Sequence, residues 1–127
     1  MIIMSKYQRN IFGEDLEDCS HQPLTGWFRD GCCNTNDADE GIHTVCAKVT
    51  EEFLEFLQEK GNDLITPAPN FGFPGLKEGD CWCVCAVSYL QAIDENVACP
   101  IYLKKTNEKT LEVIPLEKLK KFAIDLL

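Results

Sequence analysis

The sequence is poor in positive charge and has no long apolar run. Its 127 residues include 12 lysines and arginines against 21 aspartates and glutamates, which gives a net charge of -9. Because phosphate groups attract a basic surface, this balance argues against binding to nucleic acid or to an anionic membrane. No apolar stretch approaches the length that crosses a bilayer. We therefore expect partners other than nucleic acid and membranes.

The N-terminus also lacks the features of a secretion signal. Residues 1–12 contain only a four-residue apolar start, and no small-residue cleavage site follows it. A cytoplasmic location, where thiols stay reduced, is therefore expected. The eight cysteines could instead form a secreted disulfide framework. A chain of this length can bury a core without disulfides, so we expect most cysteines to be thiols or metal thiolates.

The distribution of apolar residues predicts one α+β domain that spans residues 1–127. The alternating, β-branched stretch at residues 42–49 (IHTVCAKV) predicts a strand, and residues 81–86 (CWCVCA) predict a short buried strand. The segments IYLKKT and TLEVI, joined by the turn NEK, predict a hairpin. The expected sheet is therefore short, and mixed or antiparallel.

About three helices and long ordered loops complete the predicted fold. Thr50 is a plausible N-cap for a first helix, a second follows the strand CWCVCA, and Pro115 begins a third. The apolar stripes of the first and third helices predict that these two cover one face of the sheet. Residues 63–79 carry three prolines and three glycines and are expected to form an ordered loop.

Histidine is scarce, with two in the chain, and one lies in a segment rich in cysteine. Residues 29–47 (RDGCCNTNDADEGIHTVCA) combine three cysteines and His43 with several acidic residues. Imidazole and thiolate groups are ligands of zinc and iron, although the paired C-x-x-C spacing of common zinc sites is absent. A composite site would therefore draw on distant segments. Its candidate metal ligands are Cys33, His43, Cys46, Cys83 and Cys85, with Cys32 as an alternative to Cys33.

The predicted strand CWCVCA carries a cysteine at every second position and leads directly into a helix. A thiol at this junction would lie near helix N-terminal amides, which favour the thiolate. Cys85, and after it Cys83, are on this argument the best candidates for a nucleophilic thiol, with the upstream His43 as base. The alternative is that small cysteines merely fill a tight contact between strand and helix.

Four segments carry a family resemblance: HQPLTGWFRDGCCNT, HTVCAKVTEEFLEF, GNDLITPAPNFGFPGLKEGDCWCVCA and LEVIPLEKLK. Together they resemble a bacterial family known as domain of unknown function 2237, over about residues 10–125. The sequence departs from the family pattern at Cys81, where arginine is usual, and Cys99 is also outside the pattern. The resemblance implies no activity, cofactor or catalytic residue. The positions that match its motifs are Cys19, Asp30, Gly31, Cys33, His43, Thr44, Cys46, Asn62, Asp63, Pro74, Gly75, Gly79, Trp82, Cys83 and Cys85.

Two classes of function follow. In the first, the candidate ligands converge on one centre, a thiolate or a zinc or iron thiolate that does redox or hydrolytic work on a small-molecule substrate. His43 would act as base or ligand, and Asp30 would orient it. In the second, the cysteines only pack, and the acidic surface binds a basic protein partner. The sequence does not determine the oligomeric state.

Overall fold

A computed structural model describes residues 8–126 of the chain. The short apolar start at residues 1–4, judged above too short for a signal segment, lies outside this range. Two strands, three α-helices and three short 3-10 helices form one small domain of the predicted α+β class. No helix among the described residues is both long and apolar enough to cross a membrane.

The sheet consists of two antiparallel strands, β1 (His43–Lys48) and β2 (Cys81–Cys85). The pairs Val45–Val84 and Ala47–Trp82 belong to the main apolar core, whereas the pair Cys46–Cys83 belongs to a second, cysteine-rich cluster. The register shifts between His43 and Val45, so that His43 is the partner of Cys85 and Thr44 is an extra residue on β1. The sheet therefore separates an apolar core from a sulfur-rich one.

Three helices follow the strands in the order that the sequence predicts. Helix α1 (Glu51–Glu59) begins at Thr50, whose side chain accepts a hydrogen bond from the Phe53 amide, and α2 (Ala86–Asp94) continues directly from β2. Helix α3 (Leu116–Lys120) is one short segment after Pro115. The helix packed on both strands is α2, and α1 packs on α2 through Phe53 and Tyr89. The sequence assigned the cover of the sheet to α1 and α3. Buried side chains of both helices do belong to the same core as the strands, but α2, which was not assigned this place, makes the main helix–strand contact.

The predicted C-terminal hairpin is also wrong, because two 3-10 helices occupy its place, Leu103–Lys105 and Glu108–Glu112. Polar side chains explain the difference. The Asn107 side chain accepts a hydrogen bond from the Lys109 amide, and the buried Thr110 hydroxyl lies 2.7 Å from that of Thr44 on β1. Side chains thus satisfy backbone groups that a strand ladder would have used.

Residues 8–42 contain neither a helix nor a strand of the sheet. Turns and side-chain hydrogen bonds organise them: the buried Asn10 donates to the carbonyl of Lys104, and the Asn107 side chain donates to the carbonyl of Cys33. We call residues 8–42 the N-terminal segment. It packs across the sulfur-rich cluster and supplies several side chains of the candidate site.

Candidate functional site

Two disulfides join the N-terminal segment to the sheet. Cys19 bonds to Cys46 on β1 with Cα atoms 5.7 Å apart, and Cys33 bonds to Cys83 on β2 with Cα atoms 5.4 Å apart. Both separations lie in the usual range for such bonds. The prediction that most cysteines are thiols or metal thiolates is therefore wrong for this structure, since only four of the eight are free.

The two disulfides lie against each other. The sulfurs of Cys19, Cys33 and Cys46 are all within 4.8 Å of one another, a grouping that could hold a metal ion, and the pairing in disulfides makes the same cysteines structural. Cys33, Cys46 and Cys83 were among the predicted ligands, whereas Cys19 was not. Cys19 stands alone in an irregular stretch, and only the family resemblance marked it.

His43 and Cys85 lie outside this sulfur cluster and face a cavity. They are partners in the β1–β2 register, and both line a cavity of about 300 Å³. The five residues predicted to share one centre are thus divided between two places, with Cys83 at the boundary. The cavity lining consists of Gly26, Trp27, Arg29, His43, Asn62, Leu64, Trp82, Cys83, Val84 and Cys85.

A buried carboxylate holds the His43 ring. Asp39 Oδ1 lies 2.6 Å from His43 Nδ1, and Asp39 Oδ2 accepts hydrogen bonds from the His43 amide and the Thr35 hydroxyl, each at 2.9 Å. The Asp39 side chain is fully buried, whereas that of His43 is 39% exposed. Burial raises the pKa of Asp39, but the hydrogen bonds from His43 and Thr35 outweigh it, so the pKa lies below its usual value. Asp39 is therefore an anion that fixes the orientation of the imidazole.

The prediction that Asp30 orients His43 is wrong. The Asp30 carboxylate instead accepts hydrogen bonds from the Cys32 amide at 3.1 Å and from the Asn34 side chain at 3.0 Å. Asp30 thus stabilises the turn that positions Cys33. Asp39 takes the other role because the turn after it, with Ile42 at a φ of 52°, folds the His43 ring back over it.

Cys85 differs from the other free cysteines in its surroundings. Cys32 and Cys99 are buried, and burial raises the pKa of each thiol to about 12. Burial also raises the pKa of Cys81. Cys85 is half-buried at the N-terminus of α2, where no side chain caps the helix, and its register partner is a histidine. It is the free cysteine that both reaches a cavity and lies opposite a candidate base.

Trp27 and Arg29 are not among the predicted site residues, yet both border the same cavity. Trp27 stacks on the His43 ring with centroids 6.0 Å apart and planes 13° apart. The Arg29 guanidinium lies 5.1 Å from the centroid of the Trp82 ring and donates to the Gly26 carbonyl at 3.1 Å. Arg29 has a φ of 54°, a left-handed conformation in which a residue other than glycine is uncommon. The WFRDG motif offered this signal, because its glycine and aspartate predict a tight turn.

No curated protein matches this chain. A family model described as an uncharacterised protein conserved in bacteria, domain of unknown function 2237, matches residues 9–123. The match includes both the sulfur cluster and the residues around the cavity. The resemblance predicted from the sequence is thereby confirmed, and the chain belongs to this family.

Proposed function

We propose that the protein is a thiol-dependent enzyme in which Cys85 is the nucleophile, His43 its general base and Asp39 the residue that orients the base. One observation carries the proposal. His43 is held by a fully buried carboxylate at 2.6 Å and is at the same time the strand partner of a free cysteine at the wall of a cavity. A nucleophile, a base and a group that orients the base are the usual components of such a site.

The hydrogen bond between His43 and Asp39 assigns a role to each ring nitrogen. When Nδ1 donates to the buried carboxylate, Nε2 is left as the nitrogen that can accept the proton of a thiol. Asp39 also stabilises the imidazolium that this transfer creates, because its negative charge lies beside the ring. Cys85 is the last residue of β2 and the N-cap of α2.

The disulfides favour acyl transfer over dithiol redox chemistry. A dithiol mechanism needs a second free thiol next to the nucleophile, but Cys83, two residues away, is bonded to Cys33. In the hydrolytic mechanism the Cys85 sulfur adds to a carbonyl carbon and its proton moves to His43. His43 then protonates the leaving group, and a thioester remains on Cys85. A water molecule that His43 deprotonates hydrolyses this thioester and releases the acid and the free thiol.

The cavity lining indicates the kind of substrate. A volume of about 300 Å³ suits a small molecule. Arg29 brings a positive charge to the cavity in a chain whose net charge is -9. The indole rings of Trp27 and Trp82 line the same cavity, with Trp82 under the Arg29 guanidinium and Trp27 stacked on His43. We therefore infer a small ester or thioester with an anionic group, which Arg29 would bind, next to a planar or apolar part.

The proposal is tested by the reaction of each cysteine with iodoacetamide and with activated p-nitrophenyl esters, read by peptide mass spectrometry without reductant. Cys85 should be alkylated before Cys32, Cys81 and Cys99, and it should carry the acyl group after the ester reaction. His43→Gln should slow both reactions by about tenfold or more, since the base is lost. Arg29→Gln should reduce the rate selectively for esters that carry a free carboxylate.

The matched control is His21→Gln. His21 is also paired with a carboxylate, Asp18 at 2.8 Å, but it is exposed and lies outside the cavity. This variant should react like the unchanged protein. If Cys85 reacts no faster than Cys81, or if His21→Gln and His43→Gln have equal effects, the enzyme proposal is wrong. The acidic surface as a docking site for a basic protein would then be the remaining class of function.

A further inference from the structure

The two disulfides together form a compact group of four sulfurs, which we call the four-cysteine cluster: Cys19, Cys33, Cys46 and Cys83. Three of these sulfurs are within 4.8 Å of one another, and the fourth is bonded to one of the three. Each residue is at most 6% exposed. Two come from the N-terminal segment and one from each strand, so the cluster joins three parts of the chain.

We propose that, when both disulfides are reduced, the four-cysteine cluster binds one Zn²⁺ ion as a tetrathiolate site. This site goes beyond the function proposed above, because it uses neither Cys85 nor His43. Zinc binds four thiolates tetrahedrally at about 2.3 Å, which places neighbouring sulfurs roughly 3.8 Å apart. Cys33 is already within 4.8 Å of both Cys19 and Cys46. Cys83 is not within that distance of all three, so its side chain would have to move closer to the others once the disulfides open.

The conversion balances with a dithiol as reductant. Each disulfide takes up two electrons and two protons and gives two thiols, and each dithiol leaves as its own disulfide. The four thiols then release four protons to solvent as Zn²⁺ binds, because only thiolates are ligands. The loaded centre carries two net negative charges. Lys48 pairs with Cys81, and Lys105 lies 4.6 Å from the Tyr102 ring centroid. Cys81 and Tyr102 both pack on the cluster, so each of these two lysines neighbours a residue that contacts it.

The position of the cluster indicates a structural role for the ion. The N-terminal segment has neither helix nor sheet strand, and Cys19 and Cys33 are its covalent attachments to β1 and β2. Reduction without a metal would remove both attachments. A zinc ion with four protein ligands would replace them and, having no open coordination position, would not itself be catalytic.

The test begins with the unchanged chain, fully reduced and free of metal. Zn²⁺ is added in competition with a chromophoric chelator, and Co²⁺ is used separately as a spectroscopic probe. We expect one zinc per chain, and with cobalt the charge-transfer band and the visible spectrum of a tetrahedral thiolate site. A thiol oxidant should release the zinc and restore the pairs Cys19–Cys46 and Cys33–Cys83, which peptide mapping identifies. If the metal-free reduced chain is unfolded, zinc should refold it.

Variants locate the ion. Cys19→Ser should weaken zinc binding by more than the roughly 10–100-fold loss that follows removal of an outer-sphere partner, because a direct ligand is lost. The matched control is Cys81→Ser, which changes a free cysteine that packs on the cluster without belonging to it. It should bind zinc as the unchanged chain does. Cys85→Ser should also keep its zinc, which separates this proposal from the enzyme proposal. The inference is overturned if the reduced chain takes up no zinc, or if Cys19→Ser retains it unchanged.

Discussion

Asp39 is the residue that connects the acidic part of the N-terminal segment to the candidate site. Its side chain is completely buried and binds both the ring and the backbone amide of His43, and Thr35 donates to it as well. We call the acids within residues 29–47 the acidic run: Asp30, Asp37, Asp39 and Glu40. The run does more than carry charge on the surface, because Asp30 and Asp39 each organise a turn through hydrogen bonds.

A first prediction concerns the pH dependence that Asp39 creates. Because its pKa in the folded chain is below the usual value of 3.8, its ionised form stabilises the fold at all pH values above that range. This contribution to stability is lost as the pH falls below 3.8 and passes the lowered pKa of Asp39, where the carboxylate becomes protonated in the folded chain. Asp39→Asn should cost about 2 kcal/mol at pH 7, typical of hydrogen bonds to a charged group.

Urea unfolding of the two proteins at neutral pH and in increasingly acidic buffer measures this difference. The difference in the free energy of unfolding between Asp39→Asn and the unchanged chain should decrease as the pH falls below 3.8. Asp37→Asn is the control, since Asp37 is an exposed acid in the same run. A gap that stays constant into acid would show that the loss comes from packing and not from charge.

At the residue scale the sequence singled out cysteine and histidine by type, but not the residues that contact them. Cys85 and His43 were selected because a cysteine at a strand–helix junction and a rare histidine are informative by type. Asp39 was missed because it is one of several acids in a run, and only the turn at Ile42 singles it out. Cys19 was missed as a cluster member because disulfide partners depend on how distant segments meet, which local spacing does not encode.

At the scale of elements, α1 is the segment whose sequence and structure agree most closely. Thr50 accepts from the Phe53 amide at 3.2 Å, Glu51 and Glu52 occupy the first turn, and the apolar stripe is buried. Helix propensity, capping and apolar periodicity all favour the same helix, so the tertiary contacts of α1 reinforce its local conformational preference.

A second prediction follows for this cap. Thr50→Ala should lower the free energy of unfolding by about 1 kcal/mol, because the Phe53 amide loses its partner. Thermal or denaturant unfolding measures it. Glu55→Ala changes an exposed position in the middle of the same helix and should stay within about 0.5 kcal/mol of the unchanged chain. Equal losses at both positions would mean that α1 is stabilised by its packing alone.

The C-terminal region shows why other elements could not be predicted. IYLKKT and TLEVI have the composition of strands, yet the buried side chains of Thr106, Asn107 and Thr110 hydrogen-bond to other parts of the chain. Thr106 accepts from the Cys46 amide on β1, 60 residues away in sequence. Such long-range polar contacts change the local conformation without leaving a periodic signal.

At the scale of the whole molecule, the excess of negative charge should oppose folding. A chain with a net charge of -9 repels itself more strongly when compact than when unfolded. We predict that raising NaCl from about 10 mM to about 300 mM at pH 7 increases the thermal midpoint, because salt shortens the range of the repulsion.

The control is the same experiment near the isoelectric point. At a pH of about 4.6 the net charge is close to zero, and added salt should no longer raise the thermal midpoint. Differential scanning calorimetry at both pH values measures the two effects. A midpoint that does not change with salt at pH 7 would show that local ion pairs, such as Arg9–Asp15 at 2.7 Å, offset the repulsion.

The extra residue in β1 has a consequence for how such a site can arise or disappear. If pairing continued regularly from Val45–Val84, Thr44 would face Cys85 and His43 would fall opposite Ala86. Thr44 is held by the Thr110 hydroxyl and by the Asn107 amide, so the alignment is set from the far end of the chain. A substitution that let Thr44 join the regular ladder would leave both the histidine and the cysteine in the gene and yet move them out of register in the protein.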